Sequence, residues 1–341
     1  MKRKLAFVAA LAMMTFLSNC KKIEEPKPEL SAVSDNVLLA VNSTANKVVT
    51  IAGAANLPGF TDGPGGTARF NTPEGIQLLK DGSLYVADRF NNAIRKIAAN
   101  GTVSTVMLKP DSNNLEIRQP EYVGEDDKKS MHIICAENSD LDGYSESWVY
   151  NANHDVVARA SGTYTEEASL AKDPYQDFFW FSRGYQIARH ISTAPYAIGV
   201  APYYSENKLF PPLTERGSSF QGLFVGRNKV IYFSNKGRLF KHTPSGVDAQ
   251  IHKDLSLGSI TSIVLNADCQ TIYLAADGYI ESIANGKLTR LAGPNSANPD
   301  GRDGVGFKAD VHAFSLALGD HENTLYFSDT KTHTIRKLML K

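Results

Sequence analysis

Short runs of β-branched, aromatic and aliphatic residues recur from about residue 68 to the C-terminus, separated by Gly, Asn, Asp and Pro. Met131–Ala136, Ser147–Tyr150, Phe178–Phe181, Leu223–Val225, Val230–Ser234, Leu239–His242, Ile260–Leu265, Thr271–Ala275 and Leu288–Ala292 each predict a strand bounded by turn residues. No long helical period interrupts them. Many short strands in groups of four predict an all-β chain built by radial repetition.

Two stretches near the ends of the chain repeat each other without a gap. Asp62-Gly63 leads to Leu84-Tyr85-Val86-Ala87-Asp88 and then Ile94-Arg95-Lys96. Asp303-Gly304 leads to Leu325-Tyr326-Phe327-Ser328-Asp329 and then Ile335-Arg336-Lys337. Such internal repeats mark solenoids or propellers. The first copy, with Phe70-Asn71-Thr72-Pro73-Glu74-Gly75-Ile76 ahead of it, resembles the NHL repeat; the last copy replaces Pro-Glu-Gly with Phe314-Ser315-Leu316. The resemblance implies a six-bladed β-propeller. Its blades are expected at Ala68–Met107, Gln119–Ala160, Thr163–Val200, Ser218–His252, Gly258–Ala292 and from Val311 onward, and the repeat is least legible over 151–217. The last blade has room for three strands only, so its outer strand is expected from the N-terminal side, at Lys47–Ala52, which would also remove an exposed edge.

The N-terminus changes the cellular picture. Lys2, Arg3 and Lys4 precede an apolar stretch from Leu5 to Leu17, and Leu17-Ser18-Asn19-Cys20 follows. A membrane-spanning helix needs roughly 20 apolar residues, so this reads as a signal peptide. The final four residues resemble a lipobox, which implies lipidation of Cys20. Residues 1–19 are then the signal peptide, the Pro- and charge-rich 20–35 a flexible tether, and 36–341 the propeller. Lys21 after the cysteine, with Glu24 and Glu25 beyond, resembles lipoproteins of the outer membrane, on its periplasmic or surface side. The whole chain carries 36 basic and 36 acidic residues; losing Lys2, Arg3 and Lys4 leaves 33 against 36, a mature charge near −3. That balance argues against nucleic acid as a partner. Cys135 and Cys269, on non-adjacent blades, are expected as free, buried thiols of a monomer.

Most repeat residues read as structural, with Asp88 and Arg95 bracing their blade. Function in such a ring is expected on the loops leaving the second strands. That projection gives Asp88, Arg89, Glu137, Asn138, Arg183, Asn235, Lys236, Asp277, Asp329 and Lys331, around one mouth of the channel, with Lys80 and Lys96 away from it. His312 and His333 are placed beside Asp329. The mixed charge suits a protein or glycan ligand. Trp148, Trp180 and the aromatic stretch from Tyr175 to Tyr185 read as blade-to-blade core rather than as sugar platforms. Asn138, Asp140 and Asp142 have the spacing that opens a calcium loop, but Val149 stands where the bidentate Glu belongs. No nucleophile elbow, His-Glu-x-x-His or phosphate loop is present. The expectation is therefore a non-catalytic binding module without a cofactor; the alternative is a metal-assisted hydrolase or lyase on the same scaffold.

Overall fold

A computed structural model describes residues 45–138, 144–163, 167–183, 186–190, 192–193, 197–198, 202–205 and 220–340. These residues form six antiparallel sheets of four or five strands, and one two-stranded ribbon, Ser192–Thr193 with Ala197–Ile198. The sheets are numbered here in the chain order of their innermost strands. These are Pro73–Leu78, Pro120–Glu125, Glu167–Lys172, Gln221–Val225, Ile260–Leu265 and Ala313–Leu318. Each innermost strand packs against the next, and the sixth packs back against the first, so they enclose a central channel. The fold is a β-propeller.

The expected strands hold, Ile260–Leu265 without change and the others with ends shifted by up to three residues. The largest correction falls in the third sheet, whose outer strand is Pro202–Ser205, beyond the expected limit at Val200. The small ribbon is inserted ahead of that strand, which no turn signal in the sequence announced.

Apolar burial lies between successive sheets. One cluster joins Tyr85, Ile94 and Val123 of sheets 1 and 2 to Trp148, and another joins Phe178, Trp180 and Phe233 of sheets 3 and 4. Both tryptophans are core residues, as their spacing suggested. Neither Cys135 nor Cys269 is in a disulfide; Cys135 is buried, whereas Cys269 is only half-buried, a correction to the expected burial, and sits in a turn with φ of +59°.

Every innermost strand carries a bulge near its start, where its register against the second strand slips: at Pro73/Ile76, Pro120/Tyr122, Ala168/Leu170, Gln221/Phe224, Ile260/Ser262 and Ala313/Leu316. A bulge re-aims side chains and bends the strand. Gly75 lies in the first bulge, and a Cβ there would stand 2.5 Å from the Glu121 carbonyl oxygen and 2.8 Å from the Tyr122 Cα. Both obstacles are backbone. Gly75→Ala is expected to cost about 2 kcal/mol, read as a fall in the urea midpoint, because sheet 2 must move to admit the methyl.

The ring is closed by the N-terminal strand Lys47–Ala52, which pairs with Thr334–Met339 through Val48↔Leu338 and Thr50↔Arg336. This is the outer strand that the sequence placed there, and its bounds agree. Two arginine clamps show why the pairing is specific. In sheet 1, buried Arg95 meets the Asp88 carboxylate at 2.7 Å and Asp62 at 2.6 Å, and Asp62 accepts from the backbone N–H and hydroxyl of Thr105. In sheet 6, buried Arg336 meets Asp329 at 2.9 Å and Asp303 at 3.0 Å, and Asp303 accepts from the N–H and hydroxyl of Thr50. Thr50 of the closing strand thus takes the place that Thr105 holds within a single sheet.

Candidate functional site

The end of each second strand pairs with the start of its innermost strand, as in Pro73↔Asp88, Ile260↔Ala276 and Ala313↔Asp329. The loops after the second strands therefore stand at the channel end where the innermost strands begin. Arg89, Lys236, Asp277 and Lys331 occupy those loops. Asp88 and Asp329 do not present themselves to a ligand. Both are wholly buried, because each carboxylate is turned inward to its arginine and to backbone N–H groups, Asp88 to that of Asn71 and Asp329 to those of His312 and Thr332. Asn235 is likewise buried at a strand end. Asp277 is exposed and accepts from the Ser259 N–H at 2.9 Å. Lys331 lies 3.3 Å from His312 Nε2, and His333 Nδ1 accepts from the Thr72 N–H at 3.0 Å across the seam between sheets 6 and 1. The backbone of Glu137 and Asn138 closes the strand Met131–Asn138, and that of Arg183 closes Phe179–Arg183. The side chains of Glu137, Asn138 and Arg183, together with Asp140 and Asp142, lie outside the described set. Among the described residues no three His, Cys, Asp or Glu side chains converge as a metal site.

Arg89 reaches the innermost strands. Its guanidinium lies 2.8 Å from Glu74 of sheet 1 and 3.1 Å from Glu121 of sheet 2. Both glutamates sit in bulges, and both follow a proline, in Pro73-Glu74 and Pro120-Glu121. That shared dipeptide was the signal by which the sequence could have revealed them. Beside them Tyr122 approaches Phe314 of sheet 6, ring centroids 6.3 Å apart. Since the two rings belong to sheets on either side of sheet 1, this contact narrows the channel.

One guanidinium serves two carboxylates here, and burial together with the Glu121 charge pushes the Glu74 carboxyl up to about 7. A carboxyl with a folded pKa above its unfolded value stabilises the fold fully below about pH 4.5, and loses that contribution as pH rises through about 7. Glu74→Gln is therefore expected to gain on the parent protein as pH rises from 4.5 to 8, by on the order of 3 kcal/mol. Urea titrations at several pH values check this. A difference that stays flat across that range would contradict the assignment.

The opposite end of the channel opens into a cavity of about 890 Å3, walled by all six innermost strands and the turns that follow them. Leu78, Leu170, Phe224 and Leu318 give it apolar walls, and Tyr122, Thr261 and Ser262 supply polar groups deeper in. This size lies within the range of small-molecule sites. Its rim carries Lys80, away from the mouth that holds Arg89 and Lys331, where the sequence reading places it, but at a second mouth which that reading does not single out. The projection had selected the other channel end, because loop charge is visible in sequence and enclosed volume is not. Most rim cations are paired: Lys80 with Asp127 at 3.0 Å, Lys172 with the same Asp127 at 3.5 Å, and Lys129 with Glu125 at 2.7 Å.

No protein-family model matches the chain, and no curated protein matches it. Solved structures do. A protein of unknown function from Bacteroides thetaiotaomicron shares 15% identity and a TM-score of 0.64, covering 86% of this chain and 75% of its own. What the two share is the propeller fold. An auxiliary nutrient binding protein from Bacteroides ovatus shares 14% identity and a TM-score of 0.62, with 86% and 76% covered. Virginiamycin B lyase from Staphylococcus aureus shares 13% identity and a TM-score of 0.53, with 80% and 96% covered.

Proposed function

We propose that the chain is a non-catalytic binding module of the bacterial envelope, a six-bladed propeller of the NHL kind held to the outer membrane by a lipid on Cys20. The observation that carries the binding role is the cavity of about 890 Å3 at the channel end, with leucine and phenylalanine walls, hydroxyl groups deeper in and charges at its rim. Nutrient-binding neighbours of the same fold support it. The closed cycle of six innermost strands and the paired Asp–Arg clamps support the NHL reading, and the lipobox-like Leu17-Ser18-Asn19-Cys20 supports the anchor.

The binding role is tested by filling the cavity. Leu318→Trp places a larger side chain on a half-buried wall position without removing a hydrogen bond. It should weaken capture of a peptide or glycan ligand found by screening, with little change in Tm. Undiminished capture would move the site elsewhere, and turnover with stoichiometric tightly held metal would replace the module with an enzyme. Cys20→Ser should abolish incorporation of labelled fatty acid; incorporation that persists overturns the anchor.

A further inference from the structure

The cavity rim is electrically divided. Lys80 and Lys172 share the Asp127 carboxylate and Lys129 meets Glu125, all within 3.5 Å. The turn between Gln221–Val225 and Ile231–Asn235 differs. Arg227 lines the cavity there and Lys229 lies two residues on in the same turn; both are exposed, and neither meets a carboxylate among the described residues. Tyr175, 56% exposed, stands beside them: its hydroxyl donates to the Arg227 carbonyl, and the Lys229 ammonium lies 5.1 Å from its ring centre. The turn between Ala313–Leu318 and Thr324–Asp329 has the opposite character. Asp320 is exposed and Glu322 half-buried, and neither meets a cation among the described residues; Glu322 accepts only the Ala267 N–H. The turn of sheet 5 separates the two arcs.

We infer that the cavity takes a short apolar peptide with free termini, its carboxylate held at Arg227 and Lys229 and its ammonium at Asp320 and Glu322. This rests on the reading of the cavity as the binding site. A ligand with charge at one end only would leave one arc unanswered. An uncharged ligand would use neither, and the paired lysines show that this rim neutralises its charges elsewhere. The half-buried leucines of the wall suit apolar side chains between the two ends. Charges facing a partly desolvated cavity interact more strongly than on open surface.

The test is a set of calorimetric titrations of the intact protein with Leu-Ala-Leu and Leu-Ala-Leu-Ala-Leu. Each is used in four forms: free, N-acetylated, C-amidated and doubly blocked. Blocking either terminus of the better-fitting length should weaken binding about fivefold. Arg227→Gln with Lys229→Gln should erase the penalty of amidation and leave that of acetylation. Asp320→Asn with Glu322→Gln should do the reverse; Gln at 322 keeps an oxygen for the Ala267 N–H. All four positions face solvent or the rim, so unchanged Tm serves as the folding control. Equal affinity of free and doubly blocked peptides overturns the inference while leaving the cavity as a binding site. Absence of binding by every form, at both lengths, overturns the inference and counts against the cavity itself.

Discussion

Deletion of residues 1–52 should lower Tm by roughly 10 °C or more, whereas deletion of residues 1–42 should leave it within about 2 °C of the parent. The closing strand begins at Lys47, and the compact propeller unit begins at Ser43. Its removal takes away the wholly buried Val48 and Ala52, strips Thr334–Met339 of a ladder partner, and leaves Asp303 without Thr50. Burying a Val side chain is worth about 1.5–3 kcal/mol, and each hydrogen bond about 1 kcal/mol net. With the backbone ladder to Thr334–Met339 counted, the loss is about 6 kcal/mol or more, and 1 kcal/mol moves Tm by roughly 1.6 °C in a unit of about 300 residues. The deletion also exposes a strand edge, so the shortened protein should associate at concentrations where the parent stays dispersed. Calorimetry and light scattering measure both effects. Equal melting of the two truncations would mean that the ring does not depend on this strand.

Arg336→Ala should destabilise the protein by about 3–5 kcal/mol, as should Arg95→Ala. Each removes one partner of a wholly buried ion pair and strands the other in the interior. Arg302→Ala is the contrasting case. Arg302 pairs with Asp300 at 2.5 Å, but about half of each side chain is exposed (47% and 49%), and water can replace the contact. Its loss should leave the denaturation midpoint almost unchanged. Pairing Arg336→Ala with Asp329→Ala should cost less than the sum of the two single changes, because no buried charge is then left uncompensated. Denaturant titrations of the four proteins measure the coupling, and strict additivity would refute a buried charge pair at this place.

The strands and the clamps were legible because they are local. A strand of the propeller announces itself by four to eight residues of β-branched and aromatic character between turn residues. An Asp at the end of one strand and an Arg seven residues on are brought together by a single hairpin, as Asp88 and Arg95 are. The repeated Asp62 and Asp303 carried the same signal, and the shortage of strands after Val311 pointed to Lys47–Ala52. Its pairing with Thr334–Met339 spans almost the whole chain, yet counting strands was enough to expect it.

What lies inside the ring depends on contacts that no local pattern encodes. Arg89 meets Glu121 from the neighbouring sheet, Tyr122 meets Phe314 past an intervening one, and the cavity takes walls from all six sheets. Only the closed ring shows Lys80 on a cavity rim. The sequence by itself determined the strands, the repeat and the strand that closes it, because each follows from side-chain periodicity and turn chemistry within one hairpin. Tertiary structure alone decided which end of the channel is hollow and which charges there go unpaired, because both depend on how strands far apart in sequence converge on a common axis.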